Sequence, residues 1–206
     1  MANSTGTGLP EIHRFITDHN ADGKAVYSKT IPAEATWQNI GDKCNFFLGY
    51  TTTGFPVPLN PVDKAPDVAN YQSELQSMAS LSKPNGELRM VIGADCVTNR
   101  ETGSVLRFVD FAPNVDPIMH RTTSLDYGVV IEGSFECHLD SGEVKTMNRG
   151  DVCVQRATNH AWKNVTANGG WGRMMFVLLP SEAPVVGEKT LGLDLGDQMP
   201  DAVKPN

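Results

Sequence analysis

The sequence predicts an all-β fold: one antiparallel barrel or sandwich carrying an N-terminal strand extension and a short helix. Three observations predict it. From Glu87 to Pro180 short, alternating apolar runs are broken by turn residues at short intervals. No strand–helix alternation occurs, which removes a doubly wound parallel sheet. A single stretch after Pro66 carries helical periodicity.

The elements follow in order. Residues 1–23 are polar, with a small apolar patch at Ile12, Phe15 and Ile16, and read as an N-terminal arm. Lys24 to Ile31 alternates as a strand would, and Cys44 to Thr52 (CNFFLGYTT) is a second strand. Pro56, Pro58, Pro61 and Pro66 lack the N–H a ladder needs, so residues 53–66 read as a loop. Asp67 reads as a helix cap, and Val68, Tyr71, Leu75 and Met78 fall on one helical face. Ser80 to Gly86 returns to loop. Strands are then expected at 87–95, 104–112, 127–133, 134–140, 143–147, 151–155, 160–164 and 172–180. Turn signals separate them, among them Gly133, Asp140-Ser141-Gly142, Arg149-Gly150 and Asn168-Gly169-Gly170. From Ser181 the chain is rich in Pro, Gly and Asp. The organisation expected is an arm (1–23), one domain (24–180, core barrel about 87–179) and a surface tail (181–206).

Composition narrows the function. The chain has 206 residues, which suits one domain, and 17 Lys+Arg against 24 Asp+Glu give a net charge of −7. A nucleic-acid or acidic-membrane partner needs a basic surface, so neither is expected. No apolar run reaches the roughly 18–20 residues of a membrane helix. The N-terminus MANSTGTGLPEIHRF lacks the basic and apolar regions of a signal peptide, so a cytoplasmic protein is expected. Cys44, Cys96, Cys137 and Cys153 are scattered with no CxxC pair, which fits buried free thiols better than a disulfide scaffold or zinc finger. No dinucleotide fingerprint occurs, so neither nicotinamide nor flavin is expected.

Histidines are scarce: His13, His19, His120, His138 and His160. His120 and His160 sit at strand edges with two or three tightly turned strands between them. Antiparallel strands of that length return the chain to the same neighbourhood, so the two imidazoles can meet in a barrel mouth. Asp126 lies six residues after His120, before an apolar strand. Two imidazoles and a carboxylate suit iron(II), zinc, manganese or copper. Asp126 also has a structural alternative, since an aspartate at a strand start often bonds turn amides. Alternation places His138 outward, and His13 and His19 fall in the arm. Arg107, Arg121, Arg156 and Tyr127 are secondary candidates. An arginine inside a barrel can bind a carboxylate or polarise a carbonyl, and Tyr127 should point away from Asp126.

These residues also carry a resemblance. His120-x-Thr122-x3-Asp126-x6-Gly133, followed by Gly150-x5-Arg156 and His160-x3-Asn164, resembles the two cupin motifs in the right order across residues 104–179. Thr122 stands where the motif has its second histidine, Asp126 where it has glutamate, and Arg156-Ala157-Thr158 where it has Pro-x-Gly. The stretches RFITDHNADGKAVYS, FFLGYTTTGFPV, MHRTTSLDYGVVIEG and QRATNHAWKN are further similar to small fungal cupin-domain proteins, labelled oxidoreductases, of polyketide gene clusters.

The resemblance implies a single jelly-roll-type barrel, a homodimer, and a divalent transition metal (iron, zinc, manganese or copper) on His120, Asp126 and His160. It further implies catalytic roles for those three residues, with Thr122 lining the pocket. An apolar lumen suits a small polyketide-type carbonyl compound. Period-two reading of the strands makes Phe108 or Phe111, Val130, Val154, Met175, Val177 and Trp162 candidate lining residues beside Arg107. The function expected is a redox-neutral cyclisation, dehydration or decarboxylation assisted by the His/Asp/His site. The alternatives are an iron-dependent oxidoreductase or dioxygenase on the same substrates, and a non-catalytic binding module or partner of other pathway enzymes.

Overall fold

A computed structural model describes residues 6–40, 42–59, 64–81 and 103–196. The strand expected at 87–95, Cys96 and the loop from 82 to 86 lie outside the described residues. The strands are β1 (Thr17–His19), β2 (Ala25–Tyr27), β3 (Gln38–Ile40), β4 (Cys44–Thr52), β5 (Ser104–Phe111), β6 (Ser124–Glu132) and β7 (Ser134–Leu139). They continue with β8 (Val144–Asn148), β9 (Val152–Arg156), β10 (His160–Asn164), β11 (Gly172–Pro180), β12 (Val185–Val186) and β13 (Lys189–Thr190). One helix, α1 (Pro66–Leu81), lies between β4 and β5. A six-stranded sheet in the order β3-β4-β5-β11-β6-β9 faces a three-stranded sheet, β10-β7-β8, and all of their pairings are antiparallel. The all-β expectation with one short helix holds. Among the described residues no helix is long and apolar enough to cross a membrane.

Strand alternation sorts side chains onto two faces. Across the inner face of the large sheet the register aligns Leu48, Arg107, Phe176, Gly128 and Cys153. A neighbouring inner row joins Leu178, Asp126 and Gln155. From the small sheet His160, Trp162 and Asn164 share a face with Leu139, Cys137 and Phe135. The apolar members of these rows make the core, with Phe135 and Met174 fully buried. Gly133 connects β6 to β7 at φ +88, and a Cβ there would sit 2.2 Å from Thr166 Oγ1. That close approach and the left-handed backbone both require glycine.

The outer face of β4, β5 and β11 is covered by the N-terminal segment and α1. Phe47 stacks on Phe108 at 5.8 Å and meets Trp37 at 5.7 Å. Arg14 lies over the Tyr71 ring, 5.2 Å from its centroid, and bonds its hydroxyl, which in turn donates to Leu48 O at 2.6 Å. Arg173 is 2% exposed and Asp110 is fully buried; Arg173 Nε and Nη2 bond both Asp110 carboxylate oxygens, while Nη1 reaches Pro10 O. Arg173 also lies 4.8 Å from the Trp37 ring. These two arginines tie the arm to the barrel.

Four expectations need correction. The arm does not end at residue 23: β1 and β2 form a hairpin, so the boundary falls in its turn. Pro66 is the first helical residue and not the last of a loop, since its missing N–H has no partner to lose there. Asp67 therefore lies inside the first turn, where it accepts a 2.7 Å hydrogen bond from Tyr50 Oη. The expected surface tail is packed on the barrel over residues 191–196: Asp194 exchanges both backbone hydrogen bonds with Arg121, and Leu195 is buried.

Removing one member of a buried ion pair leaves an uncompensated charge, at about 3–5 kcal/mol. Asp110→Ala should lose that much stability in urea unfolding, while Val154→Ser, at an exposed position, should change it by less than about 0.5 kcal/mol.

Candidate functional site

The barrel holds a partly open cavity of about 130 Å³ between the inner faces of the two sheets. An apolar cavity of roughly 150 Å³ holds one benzene ring, so the space suits a single ring or a short chain. Phe46, Val109, Phe111, Phe176 and Leu178 line it from the large sheet, and Trp162 from β10. The segment from Ala112 to Ile118 borders it. His120, His160, Asp126 and Arg107, which can hold or move charge, line the same space, and Lys43 and Asp116 border it too.

His120 precedes β6 and pairs with His160 through a two-residue antiparallel bridge. Each backbone N–H donates to the other's carbonyl at 2.9 Å. Directly opposed residues carry side chains on the same face, so the rings lie side by side with centroids 4.5 Å apart. Both rings are anchored alike. His120 Nδ1 is 2.9 Å from Ile118 O, and His160 Nδ1 is 2.9 Å from Thr158 O. A carbonyl oxygen only accepts, so each Nδ1 carries the proton and each Nε2 keeps its lone pair. Burial, reinforced by the neighbouring His120, holds the His160 pKa down at about 3. Burial also lowers that of His120, and the Arg107 charge adds to it. Both imidazoles are therefore neutral bases at physiological pH.

Asp126 points inward from β6 and is 7% exposed. Burial pushes its carboxyl up; a hydrogen bond with Ser124 and the Arg107 charge act against that shift. The Thr122 hydroxyl is 2.7 Å from Ser124 Oγ, and Ser124 in turn bonds Asp126. Arg107 sits among aromatic faces, 5.1 Å from the Phe46 ring and 6.0 Å from that of Phe176. Two buried polar atoms on the cavity wall, Asp126 Oδ1 and Trp162 Nε1, have no hydrogen-bond partner. Buried polar atoms are normally paired, so an acceptor and a donor are set to meet a ligand.

His120, Asp126, His160, Thr122, Arg107 and Trp162 all border the cavity. Val130, Val154 and Met175 do not. Val130 is a fully packed core residue of the inner face. Val154 is 55% exposed, because Cys153 and Gln155 are the inward residues of the edge strand β9. Met175 shares the outer face with Phe108, since Met174 and Phe176 take the inner one. Val177 lies outside by the same alternation. Tyr127 points away from Asp126 and is 39% exposed. Arg121 reaches the C-terminal segment, with Nε 2.7 Å from Gly192 O. His138 bonds Glu136 on the outer surface of the small sheet.

Among the described residues, no three His, Cys, Asp or Glu side chains converge as a metal-ligand set. His120, Asp126 and His160 share a cavity without sharing one coordination point. The reading from sequence also missed much of the wall. Phe46 is on the inner parity of a recognised strand, and Ile118 supplies the carbonyl that orients His120. A period-two count along β4 finds the first; nothing local marks the second.

Comparison with known proteins places the chain. No family model matches it. It is 40% identical over 204 residues to phomopsin biosynthesis cluster protein C' of Diaporthe leptostromiformis, covering 98% of this chain and 97% of that one. It is 35% identical over 189 residues to oryzines biosynthesis cluster protein J of Aspergillus oryzae, covering 92% and 94%. It is 39% identical over 183 residues to the cupin-domain-containing oxidoreductase virC of Hypocrea virens, covering 88% and 82%. An RmlC-like cupin structure from Shewanella frigidimarina aligns at TM-score 0.40 and 12% identity, over 71% of this chain and 85% of that one. The chain belongs to the cupin-domain proteins of fungal secondary-metabolite clusters, several of which are named oxidoreductases.

The low pKa of His160 has a measurable consequence. An unfolded histidine takes a proton below about pH 6.5; folded His160 does so only near 3. The unfolded state then binds more protons, so this stabilisation is complete above pH 6.5 and is lost as pH falls towards 3. The slope approaches about 1.4 kcal/mol per pH unit. Asp126, shifted upward, contributes with the opposite sign in both proteins of a comparison. Urea unfolding should therefore show wild type losing roughly 2 kcal/mol more than His160→Gln between pH 6.5 and 5.

Proposed function

We propose that this protein is an acid–base enzyme acting on a small, largely apolar carbonyl compound, through a redox-neutral cyclisation, dehydration or decarboxylation. The observation that carries the reading is the pair of neutral imidazoles with free Nε2 atoms, set in an apolar cavity beside Arg107 and Asp126. A carbonyl compound of one ring or a short chain fits the space. Its carbonyl oxygen is recognised by donors, and Trp162 Nε1 and the Arg107 guanidinium line the wall. An Nε2 lone pair accepts the proton α to the carbonyl. In this low-dielectric space an imidazolium is costly alone, and it is offset when enolate charge develops beside it. The reluctance of His160 to protonate in the empty protein thus favours protonation in step with the chemistry. Asp126, whose protonation burial favours, takes the proton on from the imidazolium and returns it to the enolate or to a departing hydroxyl.

The names of relatives favour a second reading, a metal-dependent oxidoreductase. It requires Asp126 to join His120 and His160 on one ion, a set not assembled in this structure. Elemental analysis of untagged protein beside a His120→Ala/His160→Ala variant separates the readings: near-stoichiometric iron lost in the variant would favour the second.

Acid–base action is tested by hydrogen–deuterium exchange at the α-carbon of small apolar ketones, aldehydes and 1,3-dicarbonyls, followed by NMR in D2O. Wild type should exchange at least one of them faster than buffer. His160→Gln should slow that exchange about 10²–10⁴-fold, and Arg107→Met should weaken it through loss of enolate stabilisation. A wild-type rate equal to that of folded His120→Gln/His160→Gln across the panel would contradict the reading.

A further inference from the structure

We propose that Cys137 and Cys153 form a reversible disulfide that ties the two sheets together beside the cavity, with a low-molecular-weight disulfide such as oxidised glutathione as the oxidant. The two residues lie on different sheets, Cys137 on β7 and Cys153 on β9, and both point into the barrel. Their thiols lie near enough for each to shift the acidity of the other. Gln155 Nε2 also approaches Cys137 Sγ, at 3.8 Å. In the register of the large sheet Cys153 faces Gly128, so no β6 side chain stands directly opposite it. Cys137 is paired with Trp162, a wall of the cavity, and Cys153 lies in the same cross-sheet row as Arg107 and Phe176. A bond between the two sulfurs therefore links one wall of the cavity to the other.

The two thiols are unequal in a way that orders the exchange. Cys137 is buried at 6% exposure, while Cys153 is only partly buried and so open to a reagent. The neighbouring Cys137 thiol holds the Cys153 thiol down at about 7, whereas Cys153 and burial push Cys137 far up. Cys153 is then the attacking thiolate and Cys137 the resolving thiol. Cys153 Sγ attacks one sulfur of the external disulfide, whose S–S bond breaks and releases a thiolate. Cys137 gives up its proton to that thiolate or to solvent and attacks Cys153 Sγ of the mixed disulfide, releasing the second thiolate. Two cysteines are oxidised, one external disulfide is reduced to two thiols, and a reductant of the same class reverses the step. Cys44 is a different case: burial pushes its thiol up to about 11. It has no such partner among the described cysteines.

The test uses the folded full-length protein. It is equilibrated with oxidised and reduced glutathione at several ratios, alkylated without reduction and digested with trypsin. Cleavage after Arg121, Lys145, Arg149 and Arg156 places the two cysteines on separate peptides, 122–145 and 150–156. The expected result is loss of two hydrogens per chain, a linked pair of those peptides, and full reversal by dithiothreitol. Cys137→Ser should instead stop at a glutathione adduct on Cys153. If that variant does not fold, the wild-type peptide map decides alone. Retention of both thiols in alkylatable form, or a wild-type reaction that ends at the mixed disulfide, would overturn the proposal.

Discussion

The site rests on one short backbone contact, the reciprocal hydrogen bonds between His120 and His160. They join the segment before β6 to the first residue of β10, and so bring together two residues forty positions apart. The contact fixes which side chains are neighbours. The carbonyls of Ile118 and Thr158, each two residues back along its own chain, then fix how the rings are turned. Beyond His120, Arg121 is held on the other edge by Asp194, so the segment that carries the first imidazole is gripped from both sides. The barrel supplies the rest: burial that keeps both rings neutral, and a lumen whose walls are apolar.

The distribution of charge follows the two faces of the large sheet. On the outer face Arg173 is neutralised by Asp110 and covered by Trp37, an arrangement that spends its polarity on holding the N-terminal segment. On the inner face Arg107 lies against Phe46 and Phe176, and its charge is felt at His120 and Asp126. Two arginines on adjacent strands thus serve different ends, and the face each strand position presents decides which. A cation in a cavity of low dielectric stabilises negative charge on a bound oxygen far more than it does in water. That is the physical basis for reading the cavity as a place where a carbonyl gains anionic character.

Much of this was legible in the sequence, because most elements announce themselves locally. Cys44–Thr52, His160–Asn164 and Gly172–Pro180 have as strands the bounds their alternation and turn residues indicate. His120 and His160 were recognisable as neighbours from strand lengths and turn spacing. The mistakes share a cause, which is that parity along a strand is visible while its phase relative to the barrel is not. Val154 and Met175 are apolar and alternate correctly, yet they face out, because the strand's inward set includes Cys153, Gln155, Met174 and Phe176. Val130 faces in but is spent on packing. The contact of Asp194 with Arg121 was illegible for another reason. A segment rich in Gly, Pro and Asp carries no periodicity, and what orders it is a partner seventy residues away. The ligand role of Asp126 was a matter of distance between side chains, which no spacing rule reports.

The central claim is that two neutral imidazoles present unprotonated Nε2 atoms to the cavity. Nitrogen NMR of protein labelled with ¹⁵N-histidine reads this directly, with His120→Gln and His160→Gln assigning the signals. At neutral pH both residues should show the neutral tautomer protonated at Nδ1, and His160 should keep it well below pH 6. An imidazolium at either position at pH 7, or a proton found on Nε2, would contradict it.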